Sequence, residues 1–533
     1  MLSPPSFGGG GQGGEAPMFL IFLFLFIPVV LNAQENDSTR HRLTSDVNVN
    51  IEMSGTFGSG DHAPLWLQAN RYGLPSTETN SGHLRAGLFR STQADSLHNW
   101  RYGYGLDLAV AANHTSAFII HQAYADIDYK KARLTIGAKE RPMEFKNNRL
   151  SSGSQTFGIN ARPIPQIRLE LPEYWNIPLT GKWLAFKGQM AWGWFTDTNW
   201  QHDFTHKQSR YTDHQQYHAK AFYFRLGNER KFPLSFELGL EMATILGGTT
   251  HTPTTTYHNW NGWKSIYNAF KVSGGDLGSK SNMEGDVLGS WLARLNYNAK
   301  GWSTAVYLDK FFEDKAGFKG TQFNGYGEGD QWRTKVSDKH FRYDFKDFLL
   351  GWELNIKRGT WLRGITAEYL YTKYQNGPVH HPNDRVNSDK LSGIYNFYNH
   401  TIFSGWQHWG QAIGNPLYYS PLYNDDGIIE FKNNRFIAYH FGVEGQPTRT
   451  LSYRVLATFL QGWGTYAKPF TDEKRQRNFL IESTYTPFTP KLRGYSATLG
   501  IGIDSGSIIG NNCGFNLTFR RLLYSTNHSN PKK

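Results

Sequence analysis

Residues 492–504, LRGYSATLGIGID, alternate strictly between apolar and small or polar side chains, and this alternation constrains the fold more than any other feature of the sequence. In an extended chain Tyr495, Leu499 and Ile503 lie on one face, and the opposite face ends in Asp504. The same period of two recurs in YGYGLDLAVAA, SFELGLEMATI, GITAEYLYTKY and GFNLTFRR. The pattern predicts an all-β chain whose strands press an apolar face against either a protein core or lipid.

Strand length and composition decide between these two surroundings. The alternating segments run to about 9–11 residues, the length of a membrane-crossing strand, whereas soluble strands average about five or six. Aromatic residues make up 15% of the chain, as expected for a barrel with aromatic girdles. The mean hydropathy of −0.55 does not exclude a barrel, because only every second strand residue faces lipid. We therefore predict a transmembrane antiparallel β-barrel, since spanning strands must close to pair their backbone.

An export signal precedes the predicted barrel. An apolar run from Met18 to Leu31 is followed by the small residue Ala33, so residues 1–33 are predicted to be a cleaved signal peptide. Residues 1–17 contain no Lys or Arg, which makes Met18 an alternative start. Removing residues 1–33, which hold one acid and no base, raises the formal net charge from +12 to +13. This positive charge favours acidic partners, and an exported chain makes nucleic acid an improbable one.

Residues 34–533 are predicted to form one domain, because no linker or repeat divides them. A single cysteine, Cys513, excludes an internal disulfide. Lumen acids such as Glu237, Glu241 and Glu368 are expected to pair with lumen arginines such as Arg520. Long extracellular loops are expected to alternate with short periplasmic turns. The longest of these loops are expected at about 196–218, 247–289, 313–339 and 375–434.

Common catalytic motifs are absent from the sequence. It contains no G-x-S-x-G, H-E-x-x-H or G-x-x-x-x-G-K-[ST] pattern, so we predict neither an enzyme nor a cofactor. His202 and His206, and likewise His214 and His218, are spaced by four, which is compatible either with a transition-metal site or with exposed loop histidines. The loop shows no apolar helical stripe that would align such pairs on one face, so we predict no metal site.

Exposed aromatic residues are the more informative candidates for function. Planar rings in polar loops stack on sugar faces, while neighbouring polar groups bind hydroxyls. The candidate polysaccharide-binding residues are Trp260, Trp263, Trp332, Trp406, Trp409, Tyr418, Tyr419, Arg162 and Arg168. The alternative that these rings pack the loops or lie at the membrane interface stays open, because any barrel has interfacial Trp and Tyr. A diffusion channel for anions or oligosaccharides is the alternative function.

Three stretches together resemble a known family. They are GSGDHAPLWLQANRYG at residues 58–73, LSSGSQTFGINARPIPQIRL at 150–169 and YNHTIFSGWQHWGQAIGNPL at 398–417. Their order resembles the capsule-assembly Wzi family of Gram-negative outer membranes. The stretch NCGFNLTF also resembles the carboxy-terminal assembly signal of outer-membrane barrels.

The resemblance implies both a fold and a function. It implies a monomeric outer-membrane barrel of about 18 strands, with an occluded channel and a small helical segment at the periplasmic end; a barrel of about 16 strands is the alternative. It implies that the chain holds capsular polysaccharide at the cell surface like a lectin, assists capsule assembly or retention, and is not an enzyme. Outer-membrane lipid and surface polysaccharide are the expected partners.

Overall fold

The computed structural model describes residues 46–259, 262–263, 267, 285–313, 321–323, 335–337, 347–375 and 395–524. The predicted signal peptide lies outside these residues, as do two of the candidate binding residues, Trp260 and Trp332. Eighteen of the described strands form one antiparallel sheet. These strands are β1 Val47–Ser59, β2 Ser81–Arg90, β3 Trp100–Ala112, β4 Phe118–Tyr129, β5 Ala132–Ala138, β6 Gln166–Asn176, β7 Leu184–Trp194, β8 Gln216–Leu226, β9 Leu234–Leu246, β10 Asp286–Asn298, β11 Trp302–Glu313, β12 Phe348–Ile356, β13 Gly364–Tyr371, β14 Phe436–Gly445, β15 Leu451–Gly464, β16 Pro469–Tyr485, β17 Tyr495–Gly506 and β18 Asn512–Tyr524.

The sheet closes on itself through its first and last strands. β1 pairs with β18 in an antiparallel register that runs from Asn48 opposite Tyr524 to Ser59 opposite Cys513. Every other strand of the sheet pairs with its neighbours in sequence. The structure therefore confirms the predicted barrel and its 18 strands. Closure leaves no edge strand with unpaired backbone, which is the condition for crossing a bilayer.

The apolar face of the strands points out of the barrel, away from the rest of the protein. On β17, Leu499 is 44% exposed and Ile503 is 48% exposed, while Gly502 and Asp504, on either side of Ile503, are buried in the interior. Alternate residues of β18 repeat this arrangement, with Phe515 and Phe519 facing outward. Because large apolar side chains cover the outer surface, hydrocarbon is the solvent that these strands require.

Paired aromatic rings cover the outer face near one end of the barrel. Trp100 and Tyr129 lie with ring centroids 4.6 Å apart, and Tyr297 and Trp302 with centroids 5.4 Å apart. Trp and Tyr concentrate at membrane–water boundaries because each ring has an apolar body and a polar atom. These pairs therefore mark one boundary of the lipid-facing band.

Every connection at this aromatic end has at most nine residues, and all of the long connections lie at the other end. The connections that follow even-numbered strands run from two residues, 130–131, to nine, 91–99 and 486–494, whereas the connection after β13 spans 372–435. Both ends of the described chain, at β1 and β18, also lie at the short-turn end. This asymmetry matches the predicted periplasmic turns and extracellular loops.

Two short α-helices have both ends among the described residues, α1 Leu65–Gln68 and α2 Thr198–Thr205, and both follow odd-numbered strands at the long-loop end. None of the helices in the described ranges has the length and hydropathy that a bilayer-crossing helix needs. At the short-turn end the described chain has only single-turn 3-10 helices, Thr92–Asp95 and Pro490–Leu492. The helical segment expected there is therefore not found among the described residues.

Three long connections turn inward and occupy the lumen. They are residues 60–80 after β1, 139–165 after β5 and 395–435 after β13, and we call them together the plug. Their buried apolar side chains, among them Trp66, Leu150 and Phe403, pack with inward-facing side chains of the wall in the largest hydrophobic cluster of the described residues. The chain thus has two apolar surfaces, an outer one toward lipid and an inner one within the plug.

Candidate functional site

The middle plug segment, residues 139–165, is anchored on the barrel wall by two carboxylates. Glu368 on β13 accepts hydrogen bonds from the Ser151 hydroxyl at 2.6 Å, the Ser152 backbone N–H at 2.7 Å and the Tyr307 hydroxyl at 2.6 Å. Asp309 on β11 similarly accepts from the Gln155 backbone N–H at 3.0 Å. Ionised carboxylates make strong bonds to several donors at once, so these acids fix the plug to the wall.

The observed partners of the lumen acids differ from the predicted ones. Arg520 bonds to Glu52 on the neighbouring strand, not to the acids named from the sequence. Glu241 accepts from the Tyr223 hydroxyl at 2.7 Å, and Glu237 accepts from the Asn296 amide at 3.1 Å. The sequence identified the inward face correctly, but residues of the plug and tyrosines of the wall supply much of the pairing.

Ion pairs fix the plug at the short-turn end. Arg71 of the first plug segment bonds to Glu482 on β16, and Arg454 on β15 bonds to the other Glu482 oxygen at 3.0 Å. Arg149 of the second segment bonds to Glu444 on β14 at 2.7 Å. These glutamates lie near the periplasmic ends of their strands, so two plug segments cross most of the barrel before they return.

Backbone contacts join the three plug segments to one another. Tyr72 donates its N–H to the Ile159 carbonyl at 2.7 Å, and Gly158 donates to the Ile413 carbonyl at 3.1 Å. A Cβ atom at Gly158 would lie 2.5 Å from the Gly414 carbonyl oxygen, so this crossing has no room for a side chain. The three stretches that carry the family resemblance are thus the three that meet in the lumen.

One tight hairpin presents an aromatic ring at the extracellular side of the plug. Gln407–His408 pairs with Gln411–Ala412, and the two turn residues, Trp409 and Gly410, both have positive φ angles of 55° and 75°. This is the two-residue turn that suits a right-handed hairpin, but a bulky residue rarely occupies its first position. Such backbone strain persists only where surrounding contacts impose it, and it is often found at functional sites.

Those contacts come from the loop that precedes α2. One carboxylate oxygen of Asp197 accepts from the Gln407 amide at 3.0 Å and from the Trp409 backbone N–H at 3.2 Å. The indole N–H of Trp409 donates to the Thr196 hydroxyl at 3.1 Å. The Trp409 ring is therefore held at a fixed angle while remaining partly exposed.

Arg162 lies beneath this ring. Its guanidinium carbon is 4.6 Å from the centroid of Trp409, and its Nη2 donates to the Thr115 hydroxyl at 2.6 Å. His408 is oriented by donating from Nδ1 to the Arg162 carbonyl at 2.9 Å, and its Nε2 accepts from the Thr196 N–H at 3.2 Å. Burial lowers the pKa of Arg162 to about 10. This value is still well above neutral pH, so the side chain stays charged there. Trp409 and Arg162 together form a rigid cation–aromatic platform.

A polar cavity of about 110 Å³ lies next to the platform. Its lining includes Tyr72, Lys139, Arg141, Arg162, Arg168 and Tyr217. Arg168 bonds to Glu170 at 2.5 Å, and Lys139 bonds to Asp126. Burial, followed by the charge of Arg168, lowers the pKa of Arg141 to about 10. The lining also includes the acids Glu144 and Glu241, so four basic side chains face two acidic ones and the cavity has a formal excess of positive charge.

Three of the candidate residues lie inside the plug instead of at its surface. Trp406 is 0% exposed, and its indole N–H donates to the Thr156 carbonyl at 2.9 Å. Tyr418 donates to the Gln155 amide oxygen at 3.0 Å, and Tyr419 donates to Asn478 on β16 at 3.2 Å. These rings are packing residues in the structure, because other side chains enclose them and leave no face for a sugar.

The remaining described candidates divide into two places. Arg162, Arg168 and Trp409 lie together at the platform and its cavity. Trp263 is 85% exposed and belongs to a separate loop. The sequence interpretation did not single out Tyr72, Lys139 or Arg141. The signal for Lys139 and Arg141 was the charged run Lys139-Glu140-Arg141 that directly follows the lipid-facing strand β5, whereas no such pattern marks Tyr72.

Clusters with metal-ligand chemistry are already satisfied by protein groups. Asp107, His121 and Glu140 converge, but the Arg85 guanidinium bonds to both carboxylates and supplies the positive charge between them. In the loop with paired histidines, His202 bonds to Asp213 at 2.6 Å. The second oxygen of that carboxylate accepts from His251 at 3.2 Å, a residue outside the predicted pairs.

The chain matches a family model and is similar to several solved structures. The model of the family described as capsule assembly protein Wzi matches residues 44–339. Among curated protein sequences, none matches the chain. Three solved structures are similar over most of their length. The Wzi outer-membrane protein involved in group 1 capsule assembly in Escherichia coli, described as a carbohydrate-binding β-barrel, is 12% identical, with 91% of this chain and 86% of that chain covered and a TM-score of 0.49. OccAB4 of Acinetobacter baumannii is 10% identical, with 90% and 98% covered and a TM-score of 0.43. OccK3 of Pseudomonas aeruginosa is 10% identical, with 92% and 100% covered and a TM-score of 0.43.

Proposed function

Because this chain belongs to the capsule assembly protein Wzi family, we propose that it binds an acidic surface polysaccharide at the Trp409–Arg162 platform and helps to assemble or retain a capsule. The protein is a β-barrel of the outer membrane, and the platform lies at its long-loop, extracellular end. The proposed activity is binding like that of a lectin, and no bond of the polysaccharide is made or broken.

A single observation carries this proposal, the partly exposed Trp409 ring held rigidly against Arg162. A fixed indole offers an apolar face for stacking on a pyranose ring without losing conformational freedom on binding. The guanidinium and the adjacent basic cavity attract a carboxylate on the same or the next sugar. Together these groups favour an acidic glycan over a neutral one.

The test uses purified protein in detergent micelles and an immobilised, carboxylate-bearing capsular polysaccharide. Trp409→Ala is expected to weaken retention at least tenfold, about 1.4 kcal/mol, because the stacking surface is lost. Arg162→Gln is expected to weaken retention of the acidic polymer but not of its carboxyl-reduced form. Heat-modifiable gel migration verifies that each variant still contains a closed barrel.

Trp361→Ala is the matched control, since Trp361 is exposed in a turn at the opposite end of the barrel. It is expected to retain the polymer like the parent. The proposal fails if the Trp409→Ala and Arg162→Gln proteins both retain the acidic polymer as the parent does, or if Trp361→Ala loses as much.

A further inference from the structure

A strip of basic side chains follows the outer surface of the barrel at its extracellular rim. Strand alternation places Arg475 and Arg477 of β16 outward, with Gln476 and Asn478 buried in the interior. Lys373, two residues after the end of β13, and Arg435, just before β14, continue the outward faces of those strands. We call Lys373, Arg435, Arg475 and Arg477 the rim patch.

The rim patch lies at the upper boundary of the lipid-facing band. Arg477 shares its face of β16 with Phe479, Ile481 and Tyr485, and Ile481 is 60% exposed. Arg477 and Tyr485 are eight residues apart, which corresponds to roughly 26 Å along a strand and to less along a tilted barrel. An apolar band about 25 Å tall therefore ends close to Arg477. A cation at this level meets lipid headgroups, because charge within the hydrocarbon is costly.

Aromatic rings support the cations without neutralising them. The Lys373 ammonium is 3.8 Å from the centroid of Trp463, and the Arg435 guanidinium carbon is 3.7 Å from that of Tyr466. Arg475 pairs with Glu473 at 2.9 Å. Within the described parts of the chain, no carboxylate lies within ion-pair distance of Arg477. With Glu473 on the same face of β16 counted, the four cations of the patch leave a formal charge of +3 where an anionic headgroup would meet it.

An apolar groove lies on the same outer face of the barrel, below the rim, where β17, β18 and β1 are neighbours. Phe57, Leu499, Ile501, Cys513 and Phe515 line it. Gly58 and Gly514 contribute only backbone to its lining, because their own side-chain positions point into the barrel, where a Cβ atom at Gly514 would lie 3.3 Å from Pro64 of the plug. The groove faces the bilayer, so an acyl chain is the occupant that its position and chemistry favour.

We propose that the rim patch and this groove together bind one molecule of an anionic outer-leaflet glycolipid, with its phosphates on the cations and an acyl chain in the groove. Charge complementarity fixes the headgroup, since guanidinium groups bind phosphate oxygens with charge-assisted bonds. The site is separate from the Trp409–Arg162 platform, because it lies on the outer, membrane-facing surface of the wall, whereas the platform belongs to the plug inside the barrel. The proposed lipid site is therefore independent of polysaccharide binding.

The headgroup experiment uses the full-length protein in detergent micelles and native mass spectrometry. Bisphosphorylated lipid A is the probe, and its enzymatically dephosphorylated form is the comparison. The double variant Arg475→Gln, Arg477→Gln is expected to bind bisphosphorylated lipid A at least tenfold more weakly than the parent, and the Arg475→Lys, Arg477→Lys protein is expected to recover most of the binding. Arg521→Gln is the control, since Arg521 lies on the lipid-facing side near the other rim and is expected to leave binding unchanged.

The groove experiment uses the single cysteine of the chain as its reporter. Cys513 is exposed in the groove and accepts a thiol-reactive fluorophore. Lipid A with brominated acyl chains is expected to quench this fluorophore in the parent at concentrations at least tenfold lower than in the double glutamine variant. The proposal is overturned if the dephosphorylated lipid binds as tightly as the phosphorylated one, if the double glutamine variant binds like the parent, or if Arg521→Gln loses as much. Binding of inorganic phosphate with equal affinity would also overturn it, by showing that the patch is a simple anion site.

Discussion

Glu368 is the residue on which the seating of the plug most depends. Its carboxylate satisfies Ser151, the Ser152 backbone and Tyr307, all of them buried. Glu368→Ala leaves these donors without an acceptor, so we expect the free energy of unfolding to fall by about 2–4 kcal/mol. Urea titration followed by intrinsic Trp fluorescence measures this loss, and limited proteolysis is expected to cleave within 139–165 before the strands.

The control for this prediction is Glu173→Ala, which removes an exposed glutamate from β6. Its unfolding free energy is expected to stay within about 0.5 kcal/mol of the parent. Equal losses in both variants, or no loss at Glu368, would show that the plug is seated mainly by apolar packing.

His400 makes the third plug segment, residues 395–435, sensitive to acid. Its Nδ1 accepts from the backbone N–H groups of Ile402 and Phe403, and burial beside Arg210 lowers the pKa of His400 from 6.5 to about 3. The unfolded imidazole binds a proton below about pH 6.5, whereas the folded one does not until about pH 3. The stability contributed by neutral His400 is therefore complete above pH 6.5 and is lost progressively as the pH falls toward 3.

Amide hydrogen exchange across residues 395–435 tests this. Exchange is expected to be faster at about pH 5 than at about pH 7.5, after correction for the intrinsic rates. His400→Asn supplies an acceptor that does not titrate, and we expect this variant to lose most of the difference between the two pH values. An unchanged difference would assign the acid sensitivity to another group.

Trp406 and Trp409 show what the sequence can resolve at this scale. They are three residues apart in GWQHWG, and composition gives both the same prospect of binding a sugar. Trp406 is enclosed by the plug, where it bonds to Thr156, and Trp409 lies at a hairpin tip, where its backbone bonds to Asp197. Both partners lie more than 200 residues earlier in the chain. Local pattern carries no information about such distant partners.

At the scale of elements, the strands were predictable and the plug was not. A strand with one lipid-facing side shows its period of two within a dozen residues, as in β17. The plug segments have no period, since their side chains point toward one another and toward the wall in every direction. Only the family resemblance implied that the channel is occluded.

Replacing residues 139–165 by a linker of about four residues is expected to open the barrel. Ala138 and Gln166 end and begin neighbouring antiparallel strands, so a short turn can join them without disturbing the sheet. The parent is expected to show no steady conductance in planar bilayers, whereas the shortened protein is expected to form a steady open pore. A steady pore in the parent would instead favour the diffusion-channel alternative.

At the scale of the whole molecule, stability depends on two different solvents. The outer face is solvated by lipid tails, and the inner face is packed by the protein's own connections. Ile481→Arg places a charge on the lipid-facing surface and is expected to reduce folding into lipid vesicles by about 2–4 kcal/mol. Leu97→Arg is the control, because Leu97 is 96% exposed in a short turn and is expected to tolerate the charge.

Folding yield into vesicles, read from heat-modifiable migration, checks both variants. Equal yields would mean that Ile481 does not contact hydrocarbon, and the barrel interpretation of its outer face would fail. The closed sheet was predictable from the sequence because unpaired backbone cannot remain in lipid. Its 18 strands were supported only by resemblance, since closure alone allows any even number over a wide range.

Each plug segment belongs to a connection that joins two adjacent strands of the wall, and these connections are residues 60–80, 139–165 and 372–435. The plug therefore has no free terminus by which it could be inserted into, or withdrawn from, a closed barrel. Placement of the plug in the lumen and closure of the sheet between β1 and β18 therefore have to occur together during biogenesis. In the mature protein, any permeation would have to come from loosening part of a tethered loop, never from ejection of a whole domain.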